Sequence, residues 1–239
     1  MKYNDDQPLA THPLNLLAIE TSTELCSAAL LRGDELFVEE AIAENRHSEL
    51  LMPMVRRLLD RSHLAPAEMD AFAFGQGPGS FTGIRIACGV IQGLAFATNR
   101  PVVPVPSLLA LAEQSNEGRV IAALDARMGE VYLAAYSRGA DDWDEVIAPC
   151  LADREALPRL PGRRWVATGS GFDRHSWLRH AYRDSVSMRL EHDLPRAGAV
   201  VRLAARRFAR GEAVAVDDAS PLYLRDKVAL TTEERQARG

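Results

Sequence analysis

The densest candidate for chemistry in this sequence is the run Gly75-Gln76-Gly77-Pro78-Gly79-Ser80-Phe81-Thr82-Gly83. Glycine lets a backbone turn through positive φ and approach a second surface, and a loop whose amides lead into a helix N-terminus can hold an anion. Two departures weigh against phosphate: no lysine follows as in a GxxxxGK loop, and GxGxxG fits in neither frame. Gly75, Gly77, Gly79 and Gly83 are therefore read as a structural glycine loop. The other reactive residue types are scattered. Cys26, Cys88 and Cys150 make no CxxC pair, and an odd count suits neither a disulfide framework nor a thiolate zinc site. No two of the six histidines stand four apart; His175 and His180, five apart, fall on different helix faces. Glu20 ends an apolar run, where ligand sites gather in layered α/β folds, although a lone acid there more commonly bonds a turn. No catalytic residue, no metal ligand and no cofactor is assigned.

The loop needs a strand before it and a helix behind it. Ala71 to Phe74 is a short apolar run, and from Thr82 apolar residues recur at helical spacing at Ile84, Ala87, Ile91 and Ala95. On that helix Gly89, Gly93 and Ala97 recur every four residues. A helix-interior glycine costs about 1 kcal/mol relative to alanine, so something should approach this strip closely. It is either another helix of the same chain or a helix of a partner. An amphipathic helix over Glu44 to Ser62 carries Leu51, Met54, Val55, Leu58 and Leu59 along one side, with Pro53 inside it.

Ahead of these, Leu14 to Glu20, Leu25 to Leu31 and Leu36 to Ala43 read as an antiparallel meander. Val120 to Tyr136 repeats the opening device of strand, acid and hairpin: a shift of 105 lays Asp125 on Glu20 and Ala134 on Ala29. A period near 100 residues is domain-sized, which indicates a duplicated fold. The second half then offers strands at Val146 to Leu151 and Trp165 to Thr168, a helix over Phe172 to Tyr182, and a helix over Arg196 to Arg210 with an arginine side at Arg202, Arg206, Arg207 and Arg210. Such a run is usually a solvated face and less often meets an acidic partner or a phosphate.

Composition is that of an ordinary globular protein, 47% hydrophobic and 26% charged. The net charge of −5 lacks the positive field of a stand-alone nucleic-acid binder. The absence of 18 consecutive apolar residues and of an apolar leader in residues 1–13 gives a cytoplasmic expectation with no membrane.

Together AIETST at 18–23, RHSELLMP at 46–53, GQGPGSFTGIRIACG at 75–89, DARMGEVYLAAY at 125–136 and PLYLR at 221–225 resemble the TsaB (YeaZ) family, over most of residues 14–227. The resemblance implies an α/β, duplicated actin-like (ASKHA, ribonuclease-H-like) fold, two domains with mixed sheets flanked by helices. The expected division is a disordered extension over 1–13, actin-like domains over 14–106 and 107–227, and a flexible tail over 228–239. It also implies a non-catalytic scaffold and activator of TsaD in the transfer of threonylcarbamoyl to an adenosine of tRNAs reading ANN codons. The implied partners are TsaD in a heterodimer, TsaE in a ternary complex and a second copy in a homodimer, with tRNA met only through the complex. The implied contact surface takes Leu50, Met54 and Arg57 from the first helix and Arg85, Gly89, Gly93 and Ala97 from the second. The alternative is a metal-dependent glycopeptidase-like or nucleotide-hydrolysing enzyme of the same fold, which would need clustered ligands or a glycine-bearing phosphate hairpin.

Overall fold

A computed structural model describes residues 13–191 and 193–225. The expected N-terminal extension, apart from its last residue Pro13, and the tail lie outside the described residues. Ten strands form two five-stranded sheets. In the first, β1 (Asn15–Glu20), β2 (Leu25–Arg32) and β3 (Glu35–Ile42) make the meander, while β4 (Ala71–Gly77) and β5 (Val102–Pro106) add in parallel, giving the order β3-β2-β1-β4-β5. In the second, β6 (Arg119–Asp125), β7 (Val131–Arg138), β8 (Trp143–Ala152), β9 (Trp165–Thr168) and β10 (Val186–Arg189) give β8-β7-β6-β9-β10 when read in the matching direction. The two halves repeat one topology, with β6 in the place of β1. Their registers differ by one residue: Ala18 pairs with Ala29, whereas Ala123 pairs with Leu133 and not with Ala134. The second hairpin is tighter, and Arg127, Met128 and Gly129 turn it through three successive left-handed conformations.

Helices complete the layers. α1 (His47–Ser62) and α2 (Phe81–Thr98) cover the outer face of the first sheet, and their apolar sides meet Leu17, Ile19, Phe72 and Phe74 in a core of their own. Between the sheets lie α3 (Ser107–Gln114), which packs on β6, and α6 (Ala197–Ala209), which returns from the second half of the chain to pack on β1 and β2. These two helices and the inner faces of both sheets share one central core. Among the described residues the outer face of the second sheet is covered by α4 (Ser170–Arg174), α5 (Ser176–Ala181) and the 153–164 loop, and no counterpart of α1 stands between β8 and β9.

Four elements depart from the sequence reading. The segment before Pro106, given no element in the sequence reading, is the paired strand β5: its prolines sit at Pro104 and Pro106 while Val102 and Val103 join the ladder. The helix over Phe172 to Tyr182 is broken at His175, which takes an extended conformation. β10, a four-residue strand that the sequence reading does not assign, pairs with β9. The arginine side of α6 faces inward carboxylates: Arg206 donates to both Glu113 oxygens at 3.1 and 2.8 Å, and Arg210 reaches Asp142 at 2.6 Å. Arg138 and the Trp143 indole also face Glu113. Burial alone would raise the Glu113 carboxyl, but these donors outweigh it and hold its pKa below the usual carboxylate value.

Candidate functional site

The glycine loop is a clasp closed on the first hairpin turn. Ser80 N donates to Ser22 O at 2.7 Å, the Thr21 hydroxyl donates to Gly83 O at 2.8 Å, and Ser80 caps α2 by accepting from Gly83 N. The glycines are required by what they touch. A Cβ on Gly79 would fall on the Ser22 carbonyl, one on Gly83 on the Thr21 carbonyl, and one on Gly75 on the Glu20 carboxylate, all far inside contact distance. Gly77 also needs its φ of +96°. The space where a phosphate would lie against these amides is filled by the chain's own turn.

Glu20, fully buried, joins the first hairpin turn to a helix of the central layer. Its Oε1 accepts from Ser22 N at 2.6 Å and its Oε2 from the Ser107 hydroxyl at 2.7 Å, so it ties the end of β1 to the start of α3. Burial raises its pKa above the ordinary carboxylate value against the pull of those bonds. Ser107, 87 residues away, gives no local sign of this role. At the equivalent position in the second half, Asp125 accepts from Arg127 N, from Arg174 at 2.8 Å and from the His175 ring at 2.9 Å. Burial alone would raise it; the bonds from His175 and Arg174 prevail and lower it. Both strand-end carboxylates are thus spent on internal bonds.

His47, at the first turn of α1, bonds Thr23 O through Nε2 at 2.8 Å and holds the same turn. Among the described residues no three His, Cys, Asp or Glu side chains gather as a metal site.

The PLYLR motif at 221–225 forms a strap. Leu222 N donates to Gln76 O at 2.7 Å, on the glycine loop, and Tyr223 OH accepts from Arg85 Nε at 2.7 Å. Arg85 lies 3.6 Å over the Phe81 ring, and Phe81 and Tyr223 stand 6.0 Å apart. Arg225 then crosses to the second hairpin, where it donates to Ala126 O at 3.1 Å and pairs with Glu130. One five-residue segment stitches the first loop to the second hairpin. Tyr223 and Arg225, the aromatic and the basic residue of the motif, make its side-chain contacts.

The outer layer of the first half is the other candidate. Along α2, Arg85, Gly89, Gly93 and Ala97 are exposed on one line, and added Cβ atoms at Gly89 and Gly93 would meet none of the described residues within 4 Å. Phe96 beside them is 79% exposed, and Met52 of α1 is exposed too. α2 is long and apolar enough to cross a membrane by composition, yet Ile84, Ala87, Cys88, Ile91 and Ala95 are buried in the first-half core. Its remaining apolar side is therefore open. Of the α1 residues expected on this surface, Arg57 is exposed and bonded to Glu39 at 2.9 Å, and Leu50 is half-buried. Met54 is a correction. At 2% exposure it belongs to the core, since it follows Leu51 by three and precedes Leu58 by four on the buried stripe.

Two sheets of identical strand order, exchanged central helices and paired hairpins define a duplicated actin-like fold. A family model described as TsaD, tRNA N6-adenosine threonylcarbamoyltransferase, matches residues 39–173. The tRNA threonylcarbamoyladenosine biosynthesis protein TsaB of Escherichia coli K12 is 36% identical over 227 residues, 90% of this chain and 96% of that protein. The Haemophilus influenzae protein of the same name is 35% identical over 229 residues, 90% and 95% of the two chains. YeaZ from Pseudomonas aeruginosa superposes with a TM-score of 0.78 at 38% identity, covering 88% of this chain and all of that one. The chain belongs to the TsaB family.

Proposed function

We propose that this chain acts in threonylcarbamoyladenosine formation in tRNA as a non-catalytic scaffold that binds and activates a TsaD-type transferase in the cytosol. The carrying observation is the open strip on α2: two glycines with empty space over them, beside a fully presented phenylalanine. Water alone gives no return for the helix propensity these glycines forgo, whereas a partner helix can use the close approach they allow. A second copy would use the same face in a homodimer, and TsaE would join once TsaD is bound. The internal use of Glu20, Asp125 and the glycine loop supports scaffold over enzyme, because each group an active site would need already bonds the protein itself. The glycopeptidase-like or nucleotide-hydrolysing alternative would need a metal cluster or a free phosphate loop, and among the described residues no three His, Cys, Asp or Glu side chains gather. Purified chain mixed with TsaD should form a heterodimer that transfers threonylcarbamoyl to tRNA, with neither chain sufficient alone. Peptidase or nucleotide turnover by the isolated chain would overturn the reading.

A further inference from the structure

Charge is distributed against the grain of the whole chain between residues 153 and 190, where eight arginines face four carboxylates in a protein of net −5. The fold gathers part of this excess on one outer surface. Where the 153–164 loop crosses α5, an open groove of about 600 Å³ is lined by Arg154, Leu157, Ser176, Trp177, His180 and Ala181. The Tyr182 hydroxyl donates to Pro158 O at 2.7 Å, which places exposed Arg159 beside the turn that follows α5. Arg183 in that turn lies 3.4 Å from the His180 ring.

The arginines here are unlike those of α6. Among the described residues Arg154 and Arg159 have no ion pair, and Arg183 meets only the exposed Asp184 at 3.8 Å. Of the nearby acids, Asp153 turns its Oδ1 to the amides of Glu155 and Ala156, and Glu155 is exposed. A half-buried tryptophan in the lining, beside the His175 ring at 5.5 Å, together with arginines at the groove matches the chemistry of a stacked base with its flanking phosphates. The groove's volume suits a nucleotide.

We infer that this groove is an RNA contact: it takes an unpaired nucleotide of the tRNA on Trp177, with the flanking phosphates on Arg154 and Arg183. The inference rests on the proposed role in tRNA modification. The groove lies on the outer layer of the second half and the α2 strip on the outer layer of the first, so RNA and the protein partner do not compete. A chain of net −5 with two or three phosphate contacts binds RNA weakly alone and adds to the affinity of an assembled complex.

The test uses the heterodimer with TsaD carrying R154A/R183A, and separately W177A, after heterodimer formation and unchanged melting are verified. At about 0.15 M salt the double variant should weaken tRNA binding on the order of tenfold and lower the slope of log K against log salt by about 1 to 2. W177A should weaken binding at an unchanged salt slope, because stacking carries no charge. Unaltered tRNA affinity in an intact heterodimer overturns the inference and leaves the scaffold role standing. Loss of heterodimer in the double variant also overturns it, since the face would then be a protein contact. Failure of the unmodified chain to bind TsaD would instead refute the proposed function.

Discussion

Alanine at Gly89 and Gly93 should make the isolated chain more stable, and leucine at Gly93 should keep that gain while abolishing assembly with TsaD. Each glycine-to-alanine change inside a helix contributes about 0.8 to 1.0 kcal/mol through propensity. Neither change meets a steric cost, because the added Cβ has no neighbour within 4 Å. The pair should therefore gain about 2 kcal/mol, which for a chain of this size is roughly 4 to 8 °C in melting temperature. The melt is run below the concentration of self-association, so that loss of a homodimer does not mask the gain. Leucine has a propensity close to that of alanine, but its side chain holds a facing helix several ångströms further out. Light scattering after gel filtration, with and without TsaD, reads assembly. A lower melting temperature for the alanine pair would mean that the strip is packed inside the isolated chain. A leucine variant that assembles and supports transfer as wild type does would mean that the partner sits elsewhere.

Three further outcomes follow from the core of the site. Gly83→Ala drives a Cβ into the rigid Thr21 carbonyl and should cost about 2 to 3 kcal/mol, read as a lowered urea midpoint; an unchanged midpoint would show that the clasp yields. Glu20 has a raised folded pKa, so the stability it contributes is present below the unfolded value near 4.5 and is lost as pH rises through the folded value. The stability of wild type relative to E20Q should accordingly fall with rising pH, and parallel pH profiles would refute the assignment. Arg206→Ala leaves Glu113 with Arg138 and Trp143 only, and should destabilise by about 2 kcal/mol with a larger loss than R202A, whose side chain meets no such carboxylate.

How far the sequence carries depends on how far apart the interacting residues lie. The meander, the strand before the glycine loop and α2 are legible because each is specified within a window of a dozen residues by alternation, helical spacing or a cap. Met54 marks the edge of that method: Leu50, Met54 and Arg57 do share a side of α1, but the apolar stripe is wide enough that its rim position turns into the core. His175 breaks its helix for a carboxylate 50 residues back, Arg225 closes on a carbonyl 99 residues away, and the arginines of α6 face Glu113 and Asp142 from other elements. No local pattern encodes those closures. The strip on α2 is legible for the opposite reason. A glycine inside a helix has an intrinsic local cost that is visible in the sequence, and over Gly89 and Gly93 the described residues offer nothing in return. The cost is therefore legible from the sequence, while the long-range closures of the interior have to be seen.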